Sequence, residues 1–125
     1  MIDPQDFDLT NGLNILRIIC GVFFIPHIVG KFFEPAALNF FVAAKFKPPK
    51  MWMYTSGSIE TVLAACLIAG LFTPFAAAIA AIHLAVAAIA VFRVTKGKWL
   101  WNIGGGEYPV FWAIACLVVA MKAME

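Results

Sequence analysis

The side chains of this chain that could do chemistry are a few ionisable and polar residues set within long apolar runs. The candidates are His27, Lys31, Glu60, Trp101, Asn102 and Glu107, with Arg17 as a charge partner and His83 as a secondary candidate. A charge inside a bilayer costs at least about 2.5–3.5 kcal/mol on insertion scales, and intramembrane ionisable groups are functional candidates by default. The pattern therefore predicts a polar pocket, in which each charge has a partner.

Other chemistries have little support in the residue pattern. A metal site would need the two histidines and the carboxylates to converge by tertiary packing alone, so none is predicted. The cysteines stand singly, at Cys20, Cys66 and Cys116. They are expected to act as small buried hydrophobes without disulfides. A triple glycine lacks the strand and helix context of a dinucleotide fingerprint, and no catalytic motif is visible. Whether the chain is an enzyme stays open.

The composition is that of a membrane protein. Hydrophobic residues make up 63% of the chain and charged residues only 13%, against roughly half and a quarter in soluble domains. The net charge of +2 is too small to indicate a nucleic-acid partner. The N-terminal residues 1–8 are acidic, unlike a signal peptide, so the first span is expected to remain in the mature protein.

The apolar runs predict an all-α integral membrane protein, an antiparallel four-helix bundle forming one domain over residues 1–125. The spans are expected at about 11–33, 51–71, 75–94 and 107–124, with a short interfacial helix at about 36–47. Gly70, Thr73 and Pro74 fit the end of one helix, the cap of the next and its first turn, respectively. Pro26 predicts a kink near the end of span one.

This topology gathers most candidates at one end of the bundle, called side B, opposite the N-terminal side A. Glu60 and His83 are expected to lie deeper. The expected ion pairs are Arg17 with Glu60, and Lys31 or His27 with Glu107. Several alternatives remain: the pairs only fix helix register, Arg17 snorkels to the membrane surface, and His83 is a hydrogen-bonded core residue. Lys45, Lys47, Lys50, Lys96 and Lys98 are expected to form a solvated, lipid-facing rim.

The segment Trp101–Glu107 is predicted to be a lid over this polar column. Its three glycines would let the backbone pass close to the end of span one. Asn102 and Glu107 would then face His27 and Lys31. The alternative is a plain flexible loop.

Five short motifs, in this order and spacing, resemble the DoxX family of small four-helix membrane proteins. They are Leu16-Arg17-Ile18 with Gly21, Pro26-His27 with Gly30-Lys31-Phe32, Glu60, Gly70-Leu-Phe-Thr-Pro74, and Trp101-Asn-Ile-Gly-Gly-Gly-Glu107. They cover nearly the whole chain. The resemblance implies a compact antiparallel four-helix bundle. The family takes its name from a thiosulfate:quinone oxidoreductase subunit, but many of its members have no known role.

The leading hypothesis is an accessory or small subunit of a quinone-linked redox system in the bacterial inner (cytoplasmic) membrane. Its pocket would receive a quinone, a lipid headgroup or a partner membrane protein, and no cofactor is assigned beyond this. The alternatives are a small-molecule or proton carrier with Glu60 and His27 as a relay, and a structural scaffold of a larger complex. Orientation stays open: the Lys and Arg excess favours a cytoplasmic side B, whereas the resemblance implies the opposite.

Overall fold

The computed structural model describes residues 3–125, apart from the side chain of Trp101, and within this range it contains helices and turns but no strand. The α-helices are α1 (Gly12–Val22), α2 (Phe24–Phe33), α3 (Ala37–Ala43), α4 (Pro49–Ala69), α5 (Thr73–Thr95) and α6 (Glu107–Ala123). Single 3-10 turns lie at Pro4–Phe7 and Trp101–Ile103. The prediction of an all-helical chain is confirmed.

Three helical stretches in the described range are long and apolar enough to cross a membrane. They are α1 with α2 (Gly12–Phe33, 22 residues), α4 (21 residues) and α5 (23 residues). An α-helix rises 1.5 Å per residue, so each of these stretches is at least about 30 Å long, the thickness of the hydrocarbon core. The chain is therefore an integral membrane protein. The last helix, α6, is shorter, at 17 residues.

The first span, Gly12–Phe33, is interrupted at its middle, and not near its end, where Pro26 predicted a kink. Helix α1 ends at Val22 and α2 begins at Phe24, so the interruption lies at Phe23, three residues before Pro26. Proline has no backbone N–H and cannot donate to the carbonyl four residues earlier, which here belongs to Val22. The break therefore lies where the missing hydrogen bond leaves this carbonyl free.

The turn between α4 and α5 differs in one detail from the expectation. Gly70 ends α4 in the left-handed conformation, with φ of 76°. Thr73, however, is the first residue of α5 and does not cap it, because Phe72 also adopts a left-handed conformation, with φ of 52°, and turns the chain one residue earlier. At the start of α1, Asn11 is the cap: its side-chain oxygen accepts a hydrogen bond from the Leu13 amide at 3.0 Å.

The long helices contact one another in a closed ring. Helix α1 contacts α4 and α6, and α5 contacts the same two helices. Small residues allow close approach: a Cβ at Gly21 of α1 would lie 3.0 Å from the Cβ of Leu67 in α4. The face of α5 that packs in the core is likewise mostly alanine, including Ala76, Ala77 and Ala80. Small residues at such contacts are typical of helices that pack within a membrane.

Candidate functional site

A cavity of about 410 Å³ lies between α2, α4, α5 and α6, with α3 along one side. Cavities of about 300–1,000 Å³ hold drug-sized ligands and are usually apolar, with a few placed polar groups. This one has that character. Its lining is mainly aliphatic and aromatic, and its polar members are His27, Lys31, Thr55, Ser56, Glu60, His83 and Tyr108.

The strongest polar contact in the cavity wall joins Lys31 of α2 to Glu60 of α4. Lys31 Nζ lies 2.9 Å from Glu60 Oε1 and donates a hydrogen bond to Oε2 at 3.2 Å. The two side chains are only 14% and 6% exposed. Oε1 itself accepts no well-aligned hydrogen bond from the described residues, so its neutralisation comes from the nearby ammonium charge.

His83 of α5 completes this cluster. Its Nε2 lies 2.9 Å from Glu60 Oε2 and 3.3 Å from the hydroxyl oxygen of Ser56. An ionised carboxylate can only accept hydrogen bonds. The proton must therefore sit on Nε2 when Glu60 is charged, and the Ser56 oxygen then accepts as well. Ser56 lies one helical turn before Glu60, a spacing from which the sequence could have indicated it.

An aromatic wall forms the α6 side of the cavity. The His27 ring stacks on Tyr108, with centroids 5.9 Å apart and an interplanar angle of 18°. It also packs against Trp112 at 5.3 Å. Trp112 is fixed by its indole N–H, which donates to the Cys20 carbonyl at 3.2 Å. Tyr108 and Trp112 were not among the predicted site residues, although their four-residue spacing places both on one face of a helix.

Arg17 does not pair with Glu60, which corrects the first expected ion pair. Its guanidinium donates to the Leu67 carbonyl at 2.9 Å and to the Asp6 carbonyl. Leu67 lies seven residues beyond Glu60, about 10 Å along the helix. At this separation the Arg17 guanidinium cannot reach the Glu60 carboxylate. Arg17 instead joins the end of α4 to the N-terminal turn, and it is 3% exposed.

The loop before α6 does not bring its polar residues to the cavity. Asn102 is exposed and Glu107 is partly buried, and neither lines the cavity. Among the described residues Lys31 pairs with Glu60 and no ion pair includes Glu107. The side chain of Trp101, a further predicted site residue, lies outside the description.

Two of the three glycines of this loop, Gly105 and Gly106, make a different contact from the one expected. A Cβ at Gly106 would lie 2.5 Å from the Phe92 ring, and one at Gly105 would lie 2.5 Å from the carbonyl carbon of Trp99. The amides of Gly106 and Glu107 donate to the carbonyls of Lys98 and Trp99 at 3.1 and 3.0 Å. Gly105 and Gly106 therefore let the loop close on itself and on the end of α5.

A protein-family model described as DoxX matches residues 12–93, well over half of the chain. The match runs from the start of α1 almost to the end of α5, and so it contains Lys31, Glu60 and His83. No curated protein and no solved structure matches the chain.

Proposed function

Because the chain belongs to the DoxX family, we propose that it is a small subunit of a quinone-linked redox system and that its cavity binds the ring of a membrane quinone. The host membrane in this proposal is the bacterial inner membrane. The partner is a second membrane protein or redox complex that exchanges electrons with the quinone. This chain's own residues bind the ring, orient it and exclude water from it.

The observation that carries the proposal is the buried Lys31–Glu60–His83 cluster at the edge of a largely apolar cavity. A quinone is an apolar ring whose carbonyl oxygens only accept hydrogen bonds. An ammonium group has three donors, and Glu60 occupies Lys31 on one side only. Its other donors can reach a ligand carbonyl, while the ring lies against the aromatic wall of His27 and Trp112.

The proposal includes α6 as the fourth span of an antiparallel four-helix bundle that forms one domain. Its 17 residues measure about 26 Å, slightly less than the hydrocarbon core. Helix α3, with Phe40 and Phe41 toward the cavity, would then be the interfacial helix at side B. The observed α3 has seven residues and is shorter than the expected segment 36–47.

Ligand binding can be followed by tryptophan fluorescence, because Trp52 and Trp112 line the cavity. We expect a short-chain benzoquinone to quench the fluorescence of the detergent-solubilised protein saturably. Lys31→Met should weaken binding about tenfold or more, the usual effect of losing a hydrogen bond to a charged group. His27→Leu should also weaken quinone binding, through loss of ring stacking. The His27 side chain makes no hydrogen bond among the described residues, so this variant removes no other polar contact there.

The matched control for this measurement is Lys122→Met, which removes a lysine that is 58% exposed at the far end of α6. It should bind like the unmodified protein. Quenching that never saturates, or that is the same in all four proteins, would refute quinone binding in this cavity.

One observation favours a second candidate, a proton carrier: Glu60 contacts the His83 imidazole, which in turn contacts the Ser56 hydroxyl. A carrier predicts proton flux into liposomes that Glu60→Gln abolishes. The quinone proposal predicts no such flux. A chain that neither binds quinone nor carries protons would be the scaffold subunit of the third hypothesis.

A further inference from the structure

A second space lies beside the cavity, between α1, α2 and α6. It measures about 400 Å³. Its lining is apolar apart from the residues that it shares with the cavity, and it includes Phe23, Phe111 and Ala115. We call this space the α1–α6 groove. The two spaces share Pro26, His27, Tyr108 and Trp112, so these four residues form the partition between them.

We propose that the α1–α6 groove holds the apolar tail of the ligand whose ring occupies the cavity. This inference rests on the proposed function and extends it, because it defines the ligand as a two-part molecule. The ring head meets Lys31 and the aromatic wall, and a linear hydrocarbon tail leaves between α2 and α6. A small hydrophilic ligand would use the cavity and leave the groove empty.

The partition can admit a tail on its His27–Tyr108 side. Trp112 is tied to α1 by its hydrogen bond to the Cys20 carbonyl. The side chains of His27 and Tyr108 make no hydrogen bond among the described residues, and their rings are held by stacking alone. The interruption at Phe23 also lies here, where α2 separates from α1. Because no hydrogen bond fixes these two rings, they form the movable side of the partition and Trp112 its fixed side.

The outer side of the groove faces the lipid. Phe23 is 57% exposed and Phe111 is 72% exposed, and both belong to stretches that we place in the membrane. A tail in the groove would therefore be continuous with the hydrocarbon region at one end and with the cavity at the other. This continuity favours a tail of the bound ligand over a segment of another protein.

The test compares two benzoquinones with the same ring, one without a tail and one with a ten-carbon tail. Tryptophan quenching is measured for both in the same detergent. The variant is Ala115→Phe, which fills the groove from α6. The matched control is Ile114→Phe, since Ile114 is the neighbouring residue, is 57% exposed and lines neither space.

We expect Ala115→Phe to weaken binding of the tailed quinone about tenfold, because the tail would lose packing equivalent to a few methylene groups. Binding of the tailless quinone should be unchanged in this variant. That result would also show that the cavity is intact. Ile114→Phe should affect neither ligand. If Ala115→Phe does not fold, Phe111→Ala, which removes one wall of the groove, should weaken the tailed quinone selectively.

Two results would overturn the inference, and they differ in meaning. If Ala115→Phe or Phe111→Ala changes the affinity for both quinones equally, or for neither, the groove holds only bilayer lipid. The quinone site in the cavity would then remain supported, without a tail in the groove. If neither quinone binds the unmodified protein, the proposed function itself fails.

Discussion

Glu60→Leu is expected to lower the free energy of unfolding of the detergent-solubilised protein by about 3–5 kcal/mol, the usual cost of removing one partner of a buried ion pair. The reason is that Lys31, only 14% exposed, would lose the carboxylate that neutralises it. Lys31→Met should have a similar cost, because the carboxylate would then keep only His83. Chemical unfolding followed by tryptophan fluorescence measures both.

The double variant Lys31→Met/Glu60→Leu distinguishes pairing from simple packing. Replacing both partners with apolar side chains of similar size is often neutral, so the double variant should recover most of the lost stability. The control is Lys122→Met, which breaks the exposed Lys122–Glu125 pair at 2.7 Å. Exposed pairs contribute about 0–1 kcal/mol. Single effects that simply add in the double variant would contradict the assigned pair.

Gly105→Ala is expected to be the most damaging small substitution in the loop before α6. The added Cβ would lie 2.6 Å from the carbonyl oxygens of Lys98 and Trp99. These oxygens accept the two hydrogen bonds that close the loop, so the backbone cannot yield without losing them. We expect a loss near the upper end of the range of about 1–3 kcal/mol for overpacking, measured by the same unfolding experiment.

The neighbouring Gly104 provides the control. It has φ of 78° and open space around its Cβ position. Asparagine tolerates the left-handed conformation, so Gly104→Asn should cost little. If Gly105→Ala were as mild as Gly104→Asn, the segment would be the plain flexible loop that the sequence left as an alternative.

Local signals in the sequence predicted the helical architecture well. Apolar runs set the bounds of the long helices to within a few residues, and Gly70 and Pro26 marked a helix end and a break that the structure contains. These features depend on neighbours in the chain. Four of the five motifs quoted for the resemblance, the last of them ending at Pro74, lie within residues 12–93 that the DoxX model matches, whereas the motif Trp101–Glu107 lies outside this range.

The sequence predicted the contacts between helices less well. His27, Lys31 and Glu60 were expected in one pocket and all three line the same cavity, but the partners of the charges were misassigned. Choosing between Arg17 and Lys31 as the partner of Glu60 requires the register of the first span against α4, which is set by packing such as Gly21 on Leu67. The triple glycine correctly indicated a close approach to another part of the chain, but it did not indicate which part.

The Lys31–Glu60 pair also has an electrical consequence. Glu60 lies eleven residues into α4, about 16 Å from its start. With both groups ionised and 2.9 Å apart, the pair carries no net charge, and the transmembrane voltage does no net work on it. Neutralising Glu60 leaves one positive charge in the field, where the full drop amounts to about 2.3 kcal/mol per charge for every 100 mV. The effect of losing Glu60 should therefore depend on voltage in an energised membrane, a dependence that is absent in a micelle.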